Sequence, residues 1–309
     1  MTDNDMSHPA RRFLHVCYVC YDVEASVSFL TEALGLREVM RTPAEPVMDT
    51  LLGFDHEVNS PTVFMYDHRG PRVSPSVEVQ QYISPATYGT PSLDVFEVGI
   101  KSFGFTVPSA DATLVKLMAA GSKVIATEES PFGNIWTTVV DPNGVTLELI
   151  EDASLTGPSQ ARHLRITVSD LSKSIPWYEN LGFSLIDTVD VESPSFLGYD
   201  GLGEGKAARL RLPDEPFEVI LIEWTNPVSH GAHYPTPNHA GLFRCALHVY
   251  DTIAATEAMK ANGTEFVRGP INITLNVAAQ IDMWLSFLAD PDGILYEFVG
   301  RPAEQFKKG

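Results

Sequence analysis

Cysteine is scarce in this chain, with only Cys17, Cys20 and Cys245 among 309 residues, and an odd, sparse set does not build a disulfide framework. Cys17 and Cys20 spell C-x-x-C. Within "HVCYVCYD", however, they read as strand, where residues three apart face opposite sides, so a shared zinc or redox role is not expected. Positive charge is also short: 21 Lys and Arg stand against 40 Asp and Glu, a formal charge of −19. Nucleic-acid binding rests on cations neutralising phosphates, so no nucleic-acid partner is expected. No apolar run approaches the roughly 18 residues of a membrane span. The opening "MTDNDMSHPARR" lacks the apolar stretch of a signal peptide, so the expected location is the cytoplasm, with no membrane partner. There is no G-x-S-x-G elbow and no H-E-x-x-H, and "DGLGEGK" at 200–206 does not join a strand to a helix as a phosphate loop would. With 44% apolar residues and a length that suggests about two domains, what remains is a globular chain whose partner is a small molecule. A monomer or a homodimer fits equally.

What the chain has is repetition. Four segments follow one plan of strand, cap, helix and glycine: "HVCYVCYDVEASVSFLTEALGL" from His15, "SFGFTVPSADATLVKLMAAGSK" from Ser102, "HLRITVSDLSKSIPWYENLGFS" from His163 and "RCALHVYDTIAATEAMKANGTE" from Arg244. The cap falls seven residues in each time, at Asp22, Ser109, Asp170 and Asp251. Such side chains accept hydrogen bonds from the free N–H groups of a first helical turn, and Gly35, Gly121, Gly182 and Gly263 suit the left-handed turn that ends a helix. Val23, Val27, Leu30 and Leu34 form one apolar stripe, while Pro176 predicts a bent or late-starting third helix. The second and fourth units close alike, with "DPNGVTLELIE" at 141–151 and "DPDGILYEFVG" at 290–300, a turn followed by a buried strand. "SVEVQQYI" and "FEVILIEW" close the other two. A larger period of two units shows in Asp141 and Asp290, 149 apart, and in His15 and His163, 148 apart; "DASLTGPSQA" at 152–161 reads as the linker.

A βαβββ unit present four times, with helix-ending glycines and a D-P-x-G-x-x-x-E closing strand, resembles the vicinal oxygen chelate superfamily of glyoxalase I, methylmalonyl-CoA epimerase, extradiol dioxygenases and antibiotic resistance proteins. The resemblance covers about residues 12–300. It implies an α+β fold of two tandem domains, each made of two paired modules forming a cradle-shaped sheet. The expected domains are 1–152, with modules from about 12 and 98, and 161–309, with modules from about 161 and 241.

The resemblance further implies that each module offers the first residue of its opening strand and one residue of its last strand to the cradle. The opening positions are His15, Ser102, His163 and Arg244, and the closing ones Glu78, Glu148, Ile220 and Glu297. Imidazole and carboxylates suit Zn, Fe, Mn, Co or Ni. Ile220 cannot ligate, and Arg244 carries a fixed charge and no lone pair. With consecutive modules paired, one divalent metal is expected on His15, Glu78 and Glu148, with Ser102, Gln80 and Arg244 as substrate-binding groups. The C-terminal half then reads as a disabled copy, in which Arg244 pairs with Glu297 or holds a substrate carboxylate. Pairing of the outer modules would instead gather His15, Glu78, Arg244 and Glu297, where a cation beside a metal is unfavourable. His248 lies on the face of Arg244 but four residues past the ligand position, and His230, His233 and His239 sit in a Pro/Gly-rich connection.

The expected chemistry is a metal-dependent isomerisation, epimerisation or glyoxalase-like lyase reaction on a small oxygen-rich substrate, through an enediolate. No base is identifiable. An extradiol dioxygenase needs two His and one carboxylate, which the opening and closing positions do not supply. A metal-free binding protein is the third alternative.

Overall fold

Each module of the computed structural model, which describes residues 8–48, 52–275 and 281–300, opens with a strand and a capped helix. The first residues of the stretch read for targeting signals lie outside the described residues. Module 1 comprises β1 (Arg12–Cys20), α1 (Val23–Leu34), β2 (Arg37–Arg41), the short pair β3 (Val47–Met48) and β4 (Glu57–Val58), β5 (Thr62–Tyr66) and β6 (Ser76–Gln81). Module 2 has β7 (Gly99–Val107), α2 (Ala110–Ala119), β8 (Lys123–Glu129), β9 (Ile135–Val140) and β10 (Thr146–Glu151). Module 3 has β11 (Gln160–Val168), α3 (Leu171–Leu181), β12 (Ser184–Val191), a 3-10 turn at Ser195–Leu197, β13 (Glu204–Arg211) and β14 (Glu218–Asn226). Module 4 has β15 (Gly241–His248), α4 (Thr252–Ala261), β16 (Phe266–Leu275), β17 (Ile281–Ala289) and β18 (Leu295–Gly300).

The four caps do what their side chains allow. Asp22, Ser109, Asp170 and Asp251 accept from the backbone N–H of Ala25, Ala112, Ser172 and Ala254 at 2.9, 3.3, 2.9 and 3.0 Å. The helix α3 does not start late: it begins directly after its cap and continues past Pro176 to Leu181. Its first turn is held twice, by Asp170 and by Glu223, which accepts from the Leu171 N–H at 2.9 Å.

Two eight-stranded sheets result, with the orders β16-β17-β18-β15-β1-β6-β5-β2 and β12-β13-β14-β11-β7-β10-β9-β8. The antiparallel pair β1–β15 joins modules 1 and 4, and the antiparallel pair β7–β11 joins modules 2 and 3. The expected pairing of consecutive modules is therefore corrected: the outer modules make one cradle and the inner modules the other. The reason is electrostatic as well as topological. The objection to outer pairing assumed a metal beside Arg244, whereas the guanidinium there faces two carboxylates, Glu78 and Glu297, which attract it.

Alternation divides the central strands. Val16, Tyr18 and Cys20 of β1 and Leu164, Ile166 and Val168 of β11 enter one apolar core shared by both sheets and the helices, where Phe13 packs on Phe217 at 4.7 Å. The opposite faces carry His15 and Cys17, and His163 and Arg165. Consecutive modules still meet through their turns. The Asp141 carboxylate accepts from the Tyr18 hydroxyl, and Asp290 from Tyr178 at 3.4 Å. Asp290 also takes the N–H groups of Asp292 and Ile294 at 2.9 and 2.8 Å.

Burial raises both carboxyls, Asp141 to about 6 and Asp290 to about 7. A raised carboxyl favours the folded state while protonated, so its contribution is full below the ordinary 3.8 and is lost as pH climbs through about 7. Asp290→Asn keeps an oxygen for the two N–H groups and removes the titration. Urea unfolding should give a difference between the two pH–stability curves that grows by about 4 kcal/mol between pH 4 and 8, with the variant the flatter. Parallel curves would refute the assignment.

Candidate active site

Strand register brings four family positions together at the floor of the outer cradle, on the adjacent strands β18, β15, β1 and β6. His15 comes from β1, Glu78 from β6, Arg244 from β15 and Glu297 from β18. Each closing residue sits two steps beyond the partner of its opening residue: His15 pairs with Ser76 and Arg244 with Leu295. The same count in module 3, from the pairing of His163 with Glu218, lands on Ile220, which is buried in an apolar cluster with Trp136, Phe196 and Trp224.

A cavity of about 480 Å³ opens above the four residues. Met40, Phe64 and Tyr66 of module 1 line it on one side, and Ile273, Met283 and Phe287 of module 4 on the other, with Gln80 beside Glu78. Apolar walls over a small polar floor are what a small-molecule site needs.

The floor is an ion-pair network. Arg244 Nη2 donates to both oxygens of Glu78, at 2.8 and 2.9 Å, and Nε to Glu297 Oε2 at 3.3 Å. Nη1 reaches Gln80 Oε1 at 3.4 Å, and the same oxygen accepts from Cys17 Sγ at 3.3 Å. Burial works against the guanidinium's charge, and the carboxylates more than offset it, so Arg244 stays charged. Burial also opposes the charge of Glu297, but His15 and Arg244 bring its carboxyl below the ordinary range. The Cys17 thiol is pushed up by burial and stays protonated.

His15 Nε2 lies 3.3 Å from Glu78 Oε2 and 3.7 Å from Glu297 Oε2, in neither case aligned for a hydrogen bond. It is a buried, unpartnered ring nitrogen facing the cavity, and a bound ligand would complete it.

The expected metal set is corrected by this geometry. Glu148 and Ser102 belong to the inner cradle, in the other sheet, and cannot join His15 and Glu78. Their place is taken by Glu297 and Arg244. His15, Glu78 and Glu297 are metal-ligating types, yet among the described residues no three His, Cys, Asp or Glu groups are arranged to hold an ion. An ion bound at about 2.1 Å from Glu78 Oε2 would lie within roughly 5 Å of Arg244 Nη2, which is 2.9 Å from that oxygen. Repulsion between a guanidinium and a divalent ion at about 5 Å is about 7 kcal/mol at an effective dielectric of about 20. With Arg244 in this position the residues do not fit a metal.

The inner cradle is filled with protein. Glu148 is fully buried, with Oε2 2.6 Å from His163 Nε2 and Oε1 accepting from Arg165 Nε at 2.7 Å. Burial would raise the Glu148 carboxyl, but Arg165 and His163 hold it down at about 2. Trp136 stacks on the His163 ring at 4.8 Å, Phe196 of the 3-10 turn meets Trp136 edge-on, and the Ser102 hydroxyl is buried without a partner. Gly104 leaves room for the ring, since a Cβ there would lie 2.1 Å from it. Arg165, two residues past His163 on the same strand face, was the residue sequence reasoning passed over, although alternation marks it.

The remaining histidines stand apart from the outer floor. His248 ends β15 beside Arg12 and packs edge-on against Tyr250. His230 pairs with Asp94, His233 bonds the Phe243 carbonyl and His239 stacks on Tyr234, which fastens their loop in place.

Two cradle-shaped sheets built from paired βαβββ modules, with opening-strand and closing-strand side chains meeting at each floor, define a class of protein whose site lies inside the sheet. The chain belongs to the Glyoxalase/Bleomycin resistance protein/Dioxygenase superfamily, whose family model matches residues 12–149 and 160–298. It is 25% identical over 299 residues to a probable chloroplastic lactoylglutathione lyase of Arabidopsis thaliana, covering 93% of this chain and 75% of that one. It is 25% identical over 289 residues to a putative lactoylglutathione lyase of Brassica oleracea var. gemmifera, covering 92% and 89%. In structure it matches glyoxalase I from Zea mays with a TM-score of 0.69 at 21% identity, covering 96% of this chain and 94% of that one. Among the described residues no helix is long and apolar enough to cross a membrane.

Proposed function

We propose that the outer cradle is an enzyme site for glyoxalase-type lyase or isomerase chemistry, in which a proton moves between neighbouring carbons of a small oxygen-rich substrate. The observation that carries this reading is the unpartnered His15 Nε2 on the floor of the cavity, within 4 Å of two carboxylates and beside a buried guanidinium. His15 takes the proton from the carbon next to a carbonyl. The imidazolium so formed lies between Glu78 and Glu297, which stabilise it. The electron pair moves onto the carbonyl oxygen to give an enediolate, held against the Arg244 guanidinium; His15 then gives a proton to the former carbonyl carbon while the hydroxyl proton of the first carbon passes to the enediolate oxygen, leaving the new carbonyl on the first carbon. The His15 side chain is 11% exposed, so its N–H exchanges with solvent before the proton returns and the product carbon takes up solvent hydrogen.

The lactoylglutathione lyase relatives suggest a substrate to try first: the hemithioacetal of methylglyoxal and glutathione, with S-lactoylglutathione as its isomer. Incubation in D₂O, followed by proton NMR, should show deuterium entering the lactoyl carbon, at a rate reduced about 100-fold or more in His15→Gln. An undiminished rate in the variant would remove His15 from the reaction. Saturable binding without exchange would favour the binding-protein reading, which gains some support from the number of Arg244 N–H groups already used within the protein. The dioxygenase reading is not adopted, because the outer floor offers one histidine where two are needed.

A further inference from the structure

We infer that Arg244 stands in the place of the metal, so that the working cation of the outer cradle is a guanidinium and not a bound ion. This rests on the outer cradle being the working site. Arg244 occupies the opening position of module 4, the fourth corner of the floor, and both carboxylate corners are already turned toward it. Both oxygens of Glu78 are taken by Nη2, and Glu297 Oε2 by Nε. Glu78 Oε2 and Glu297 Oε2 are the same atoms that face His15 Nε2, so an ion bound between imidazole and carboxylates would have to share its ligand atoms with the guanidinium.

The arginine is also built in. Its side chain is 7% exposed, and Gln80 Oε1, itself fixed by Cys17 Sγ, receives Nη1. Its fork meets Glu78 through a single nitrogen and Glu297 through another, so it bridges the two carboxylates that a metal would otherwise bridge. A site of this kind takes a substrate through an oxygen carrying, or developing, negative charge. It does not call for two vicinal oxygens to chelate.

The inference is tested on metal content, apart from turnover. Wild-type protein, purified without chelators and dialysed against Zn²⁺, should retain below about one-tenth of an equivalent by mass spectrometry. Arg244→His supplies the missing imidazole beside His15, Glu78 and Glu297 and should retain about one equivalent, with tetrahedral visible bands when loaded with Co²⁺. If that variant is not folded by circular dichroism, Arg244→Gln replaces it and should bind at least about tenfold more Zn²⁺ than the wild type. About one equivalent in the wild type, lost in His15→Ala, would overturn the inference, as would a folded Arg244→His that binds no metal. Failure of deuterium exchange would count against the proposed reaction and leave these metal results standing.

Discussion

Replacing Glu148 with Gln is expected to cost the fold about 3–5 kcal/mol, the usual penalty for leaving one member of a buried ion pair uncompensated. Glu148 is wholly buried and is held by Arg165 at 2.7 Å and His163 at 2.6 Å; the amide keeps the shape and abandons the charge of Arg165. In thermal unfolding this corresponds to a fall of roughly 10 °C. The triple change Glu148→Leu, Arg165→Met, His163→Phe removes the whole network and should return much of the loss, because buried pairs contribute little over well-packed apolar groups. The pH dependence follows from the lowered carboxyl. Its stabilisation is present above the ordinary 4.5 and is lost as pH falls through about 2, so the wild-type advantage should fade in strong acid. Binding in the outer cradle should be unchanged. A Glu148→Gln protein as stable as the wild type would mean that the inner network is not held as described.

Arg244→Met is expected to lower the rate of proton exchange by about 10²- to 10³-fold, the usual cost of removing a donor aimed at a developing oxyanion. It should also destabilise the chain, since Glu78 and Glu297 would be left buried and facing His15 without their shared cation. The two effects separate through Arg244→Lys. An ammonium keeps the charge and loses the fork that spans both carboxylates, so stability should largely return while the rate stays depressed. Full recovery of the rate in Arg244→Lys would mean that charge alone matters at this corner. A rate equal to wild type in Arg244→Met would take Arg244 out of the reaction.

The fold was legible in the sequence because the repeat carries its own mechanics. Asp22, Ser109, Asp170 and Asp251 cap four helices, and the strand register bears out the count that placed Ile220 with the closing residues. Module pairing was not legible, because it depends on which opening strands meet at the centre of each sheet, and nothing local in β1 or β15 encodes that choice. The candidate residues are thus legible singly but not in their grouping: Glu148 and Ser102 lie in the inner cradle, and Glu297 and Arg244 stand with His15 and Glu78 in the outer one. The filling of the inner cradle by Trp136 and Phe196 was hidden for a related reason, since both come from segments outside the four repeated strand–helix units. Arg244 could be read as a cation unsuited to a metal, but its meaning changed once Glu78 and Glu297 were seen on either side of it.

The most direct measurement follows the histidine side chains by NMR while S-lactoylglutathione is titrated into the protein. The nine histidines are assigned by substitution, beginning with His15→Gln. The imidazole signals of His15 should shift with ligand, and those of His163, sealed beneath Trp136, should not. A shift at His163, or at neither, would contradict the outer cradle as the working site.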